Sequence, residues 1–99
     1  MPVIYHVTQL AAWTAAAAAG QYTHPSLAAE GFIHCSQDHQ VAGVLERYFR
    51  GETGLVKLVI DTDKLTARWV EEWSPSTKDH FPHIYGVINT DAIVDVVML

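Results

Sequence analysis

Apolar and polar positions alternate from the first residues of the chain. Val3, Tyr5 and Val7 fall on one side of a period-2 segment and Ile4, His6 and Thr8 on the other, which predicts a strand with two unlike faces. An alanine-dominated run containing Trp13 and Thr14 follows and stops at Gly20, which predicts a helix over residues 9–19 with Thr8 as its cap and Gly20 just past its end. Residues 23–29 hold Pro25-Ser26-Leu27 and read as a loop with at most one helical turn. Residues 32–35 read as a short strand, and Ser36 as the N-cap of a second helix over 37–50 closed by Gly51. Val41, Val44, Leu45, Tyr48 and Phe49 give that helix an apolar stripe. Residues 55–60 are apolar except for Lys57, as in a central strand covered on both faces, and Asp61-Thr62-Asp63-Lys64 turns the chain. Further strands are predicted over 68–73, 82–88 and 92–98, with the polar stretch 74–80 as a mobile loop and Asn89-Thr90-Asp91 as a turn. Two principal helices with several consecutive late strands make the fold class α+β, with a mainly antiparallel sheet.

Composition narrows the function classes. Ninety-nine residues with 49% apolar and 17% charged content make one ordinary globular domain over 1–99. A net charge of −5 without a basic stripe argues against double-stranded nucleic acid as a partner. A single cysteine allows neither an internal disulfide nor a cysteine-based zinc site, and points to a reducing compartment. The alanine run follows a start with no Lys or Arg and is interrupted by Thr14, so it reads neither as a membrane span nor as a signal peptide; a cytoplasmic location with no membrane partner is expected. The apolar stretch 93–99 offers a strand edge for self-pairing, which leaves monomer and homodimer open.

Six histidines equal the whole count of Lys and Arg, and three of them lie inside apolar strands: His6, His34 and His83. An imidazole there must find a partner or border a cavity, because an unpaired buried polar group costs about 1 to 3 kcal/mol. Three independently satisfied structural histidines are the plainest explanation. Convergence on one site is the functional one, with either His34 or His83 able to act as general acid or base near neutral pH. A metal site built from His34, Cys35, His39, His80 and His83 has poor spacing, because adjacent His34 and Cys35 point to opposite faces of a strand, and no metal is expected. Cys35 as a nucleophile requires a partly exposed, electropositive setting. Of Glu71 and Glu72, only one can face a site on a strand.

Ile4-Tyr5-His6-Val7-Thr8, Gly31-Phe32-Ile33-His34-Cys35-Ser36 and Phe81-Pro82-His83-Ile84-Tyr85-Gly86 together resemble the DUF952 family over nearly the full chain. A glutathione transferase label sometimes attached to that family is set aside, since the chain lacks the size and the βαβ order of a thioredoxin-like domain. More distantly, the pattern resembles the ADP-ribosyltransferase fold, which implies a split sheet and a nucleotide cleft binding NAD or a related small molecule. By that resemblance His6 and Thr8 hold the ribose, Ser36 and Tyr85 line the cleft, and Tyr22 or Tyr85 stacks on nicotinamide. Arg68 is the one basic residue near the candidate strands for the pyrophosphate. The late catalytic glutamate of the pattern has no clear counterpart, and Glu71 is its substitute candidate beside His34 and His83. The alternative is a non-catalytic module that binds a small metabolite or a protein.

Overall fold

The central strand predicted from the apolar run is β4 (Leu55–Asp61) of the computed structural model, which describes residues 2–99. It lies between β1 (Val3–Gln9) and β8 (Ile93–Met98) in a three-stranded antiparallel sheet. Val3 stands opposite Asp61 and Gln9 opposite Leu55, so the alternation of β1 is read out along the whole pair. Ile4, His6 and Thr8 face the main core, which contains Val56, Leu58 and Ile60 of β4. Val7 faces the other way and packs with Val41 and Leu55 in a smaller cluster bordered by Tyr5, Leu45 and Phe49. Both faces of β4 are covered, as its near-continuous apolar sequence requires.

Helix α1 (Leu10–Ala19) ends where expected, with Gly20 at φ +83° donating its N–H to the Ala16 carbonyl. Its start differs: Gln9 precedes the helix with no side-chain cap, and Thr8 remains in β1 because its hydroxyl is engaged by Tyr22. β2 (Gln21–Tyr22) follows it directly, and the loop expected over 23–29 holds a six-residue helix α2 (Pro25–Glu30). His24 caps α2 by accepting the Ser26 N–H at Nδ1, with proline in the first helical turn where its missing donor does no harm.

Strand β3 (Ile33–His34) runs into Ser36, whose backbone exchanges two hydrogen bonds with Tyr5 (2.7 and 2.8 Å) and so ties β3 to the free edge of β1. Ser36 therefore caps no helix. Gln37 takes that role through a reciprocal bond with Gln40 across the 3-10 turn Asp38–Gln40. Helix α3 (Val41–Tyr48) stops two residues earlier than expected, and Tyr48 leaves the apolar stripe to lie 66% exposed.

The late strands form a second sheet. β5 (Trp69–Ser74) and β6 (Asp79–Ile84) make a hairpin joined by residues 75–78, with Lys78 at φ +55°, so the expected loop 74–80 shrinks to a four-residue turn and Ser74, Asp79 and His80 are strand. β3 pairs on the other side of β6. The single strand expected over 82–88 is broken at Gly86, where a Cβ would stand 2.9 Å from the Ala67 Cβ. Beyond that contact β7 (Ile88–Asn89) pairs with β2. The result is one small α+β domain with three antiparallel sheets and a core running between the β1-β4-β8 and β3-β6-β5 sheets.

Candidate functional site

The three strand-borne histidines divide into one buried group and one pair at the surface. His6 is 4% exposed, and both its nitrogens are occupied: Nδ1 lies 2.6 Å from the His34 carbonyl and Nε2 lies 2.7 Å from the Tyr22 hydroxyl. That hydroxyl is also 3.0 Å from Thr8 Oγ1. A carbonyl only accepts, so Nδ1 carries the His6 proton. Burial pushes the His6 pKa down to about 4, so the ring is neutral and Nε2 accepts. The Tyr22 proton then goes to His6, and the Thr8 hydroxyl donates to Tyr22. His24, whose ring stands 5.4 Å from that of His6, borders the group and is also shifted down by burial. Tyr22 is 1% exposed and its phenol is pushed up by burial. In this arrangement His6, Thr8 and Tyr22 spend their polar atoms on one another and on the β3 backbone. They are walls behind the site, as is Ser36, and Tyr22 presents no ring to solvent for stacking.

The β3-β6-β5 sheet has the two-faced character that period-2 strands impose. Ile33, Ile84 and Trp69 point to the core. On the opposite face His34 stands directly across from His83, with ring centroids 5.2 Å apart. His83 Nδ1 bonds Oε1 of Glu72 at 2.9 Å, and the Tyr85 hydroxyl donates to the same oxygen. Those two donors, the Tyr85 bond first, hold the Glu72 carboxyl below its ordinary range, while the carboxylate pushes the Tyr85 phenol up. Glu30, at the end of α2, bonds His34 Nε2 at 2.9 Å. The Phe32 ring stacks on His83 at 4.0 Å and 14°, and the Arg68 guanidinium sits 4.8 Å over Tyr85. His34, His83, Tyr85 and Arg68 are thus brought together.

The carboxylate that meets His83 is Glu72. Glu71 stands opposite Pro82 on the core-side parity of β5 and is exposed at its outer edge. The residue pair alone left this open. The register that decides it, Ser74 opposite Asp79, follows from the four-residue turn 75–78, which the polar run concealed. Phe32 and Glu30 also belong to the cluster, and the signal for Glu30 was its place four residues before His34, across the α2–β3 turn.

The remaining candidates lie elsewhere. Cys35 is 3% exposed and burial raises its thiol pKa, so its environment is opposite to that of a nucleophile. His39 bonds Asp79 at 2.9 Å, and Gln40 donates to the same carboxylate, which lies at about 2 for these bonds and the His80 N–H. That group clamps the 3-10 turn to the hairpin. Among the described residues, no three of His, Cys, Asp and Glu are grouped to hold a metal ion. Two open hollows, of about 420 Å³ beside Leu45, Phe49 and Leu99 and about 280 Å³ beside Ala12, Ala16 and Tyr22, include no residue of the His34–His83 cluster.

Fold and site define a small α+β protein whose β3-β6-β5 sheet presents paired imidazoles, a carboxylate and aromatic rings on one face. The chain belongs to the DUF952 family, described as "Protein of unknown function (DUF952)", whose model matches residues 7–96. Protein CC0527 from Caulobacter crescentus is similar in its crystal structure, with 29% identity and a TM-score of 0.87 over 97% of this chain and 84% of that one. A double-mutant crystal form of it gives 28% and 0.86. Its solution NMR structure gives 29% and 0.80 over 100% of this chain and 85% of that one. No curated protein matches the chain. Among the described residues no helix is long and apolar enough to cross a membrane.

Proposed function

We propose that the solvent face of the β3-β6-β5 sheet binds a nucleotide-type small molecule, and that His83, oriented by Glu72, is the group that moves a proton on it. The observation that carries this reading is the Glu72 carboxylate accepting from both His83 Nδ1 and the Tyr85 hydroxyl. A carboxylate on Nδ1 sets the tautomer and leaves Nε2 as the working nitrogen, the arrangement in which imidazole serves as general base. Tyr85 and Phe32 supply aromatic surface for a base, and Arg68 supplies the single cation for a phosphate. NAD and ADP-ribose are the compounds of first choice, because the distant resemblance of His6-Val7-Thr8 to the ADP-ribosyltransferase strand favours them. In this reading His6, Thr8 and Ser36 hold β3 in place behind the site and do not touch the ribose. Transfer to an acceptor hydroxyl would use His83 to remove its proton.

The test is a two-dimensional NMR titration of the backbone and histidine-ring signals with NAD and with ADP-ribose, on the wild type and on Glu72→Gln. Saturable shifts confined to residues around His34, His83 and Tyr85, weakened in the variant, are expected. Silence of those signals at millimolar nucleotide overturns the reading. Binding without release of nicotinamide in the presence of acceptors reduces the site to a binding module.

A further inference from the structure

We infer that His34 and His83 form a two-imidazole acid–base pair, and that its substrate is a phosphodiester carrying one negative charge. The inference rests on the reading that this face is the ligand site, and departs from it in the chemistry performed there. Two features separate this pair from incidental surface histidines. The residues are direct partners across the β3–β6 ladder, so the backbone fixes their spacing at 5.2 Å between rings. Each ring also has its own carboxylate on one nitrogen: Glu30 on Nε2 of His34, and Glu72 on Nδ1 of His83, both at 2.9 Å. The second nitrogens, Nδ1 of His34 and Nε2 of His83, have no protein partner among the described residues. His39 with Asp79 shows the contrast, a single imidazole–carboxylate pair with no second such pair beside it.

A substrate that needs both rings must gain a proton at one atom while losing one at another. The nicotinamide bond of NAD does not, since nicotinamide leaves as a neutral ring without protonation. Hydrolysis of a phosphodiester does. The neutral imidazole takes a proton from water as the water oxygen forms its bond to phosphorus; the bond from phosphorus to the leaving ester oxygen breaks with its electron pair on that oxygen. The protonated imidazole gives that oxygen its proton. No proton is gained or lost overall, and the two rings end with exchanged protonation states that solvent resets. Electrostatics point the same way. Arg68 is the one cation of the cluster, Glu30 and Glu72 are each matched by an imidazole, and the chain carries −5, which suits a monoanion better than a pyrophosphate. Phe32 and Tyr85, with ring centroids 5.6 Å apart, border the pair with surface on which a nucleobase stacks.

The experiment follows hydrolysis of 2′,3′-cyclic AMP by chromatography, with the wild type, His34→Gln, His83→Gln and, as a control outside the site, His39→Gln. Folding of each variant is checked by its amide spectrum. The pair predicts turnover with a bell-shaped pH dependence, in which Glu30, His24, Glu72, Tyr85 and Arg68 are the titratable and charged neighbours. Either glutamine at 34 or 83 should lower the rate by about 100-fold or more while His39→Gln leaves it unchanged. Binding of the cyclic nucleotide without turnover overturns the inference, as does activity that survives His34→Gln, since one imidazole then suffices. NAD is titrated in parallel. Shifts with NAD and no turnover of the diester leave the nucleotide-site reading standing and sink this one; turnover of the diester with no response to NAD does the reverse for the choice of NAD.

Discussion

Individual side chains carry opposite assignments according to whether water reaches them. His6 and His83 are both strand imidazoles, yet His6 is sealed by Tyr22 and the His34 carbonyl while His83 keeps one nitrogen for a ligand. For His6 the folded pKa of about 4 lies below its ordinary value of 6.5, so between those pH values the unfolded chain binds the extra proton. Its contribution is complete above pH 6.5 and lost as pH falls toward 4, on the order of 3 kcal/mol in all. His24, also depressed, acts with the same sign. Urea melts at pH 7.5 and 4.5 should show this fall; equal midpoints and slopes would show that His6 titrates normally. His6→Ala should lose roughly 2 to 4 kcal/mol at pH 7.5, since it opens a cavity and removes the buried bonds to the Tyr22 hydroxyl and the His34 carbonyl, and the same melts measure it. Glu72→Gln removes the charge that orients His83 and should cut any turnover at the site by about 10- to 100-fold with little effect on the urea midpoint. Cys35 should resist iodoacetamide in buffer and react in urea, as a buried thiol of raised pKa does.

At the scale of elements, the parts that were legible had strong local signals. The period-2 alternation of β1, the apolar run of β4 and the Gly20 stop of α1 each state their own geometry, and the structure follows them closely. The misses occur where a distant partner competed with a local rule. Thr8 and Ser36 are good N-cap types, but Tyr22 claims the Thr8 hydroxyl, and the Ser36 backbone pairs with that of Tyr5 in a strand-like bridge. The break after β6 has a similar origin, because Gly86 stands against Ala67, a residue far back in the chain. Gly86→Ala should therefore destabilise by roughly 1 to 3 kcal/mol through overpacking, visible as a lower melting temperature; an unchanged melt would mean that residue 67 yields freely. The His24-Pro25 step was the available sign of α2, since a residue before proline is extended and proline suits a first helical turn.

For the whole molecule, the arrangement of sheets decides both the site and the exposed edge. β8 borders the first sheet with an unpaired apolar edge on which Asp95 is the only charge, and a bulge interrupts its register between Val59 and Ile60 of β4. Charge and bulge are the usual protections of such an edge. Asp95→Val should raise the apparent mass in light scattering as concentration increases, relative to the wild type; identical masses would show that the bulge alone protects it. The sequence by itself determined the α+β class, the single core, the faces of β1 and β4, and the concentration of chemistry on strand histidines, because periodicity and residue type are local quantities. Only tertiary structure decided that His6 is walled in while His34 and His83 meet, and that Glu72 and not Glu71 joins them. Those outcomes depend on the register of β6 against β3 and β5, and register is set by turn length and by the packing of the opposite face, neither of which any one segment contains.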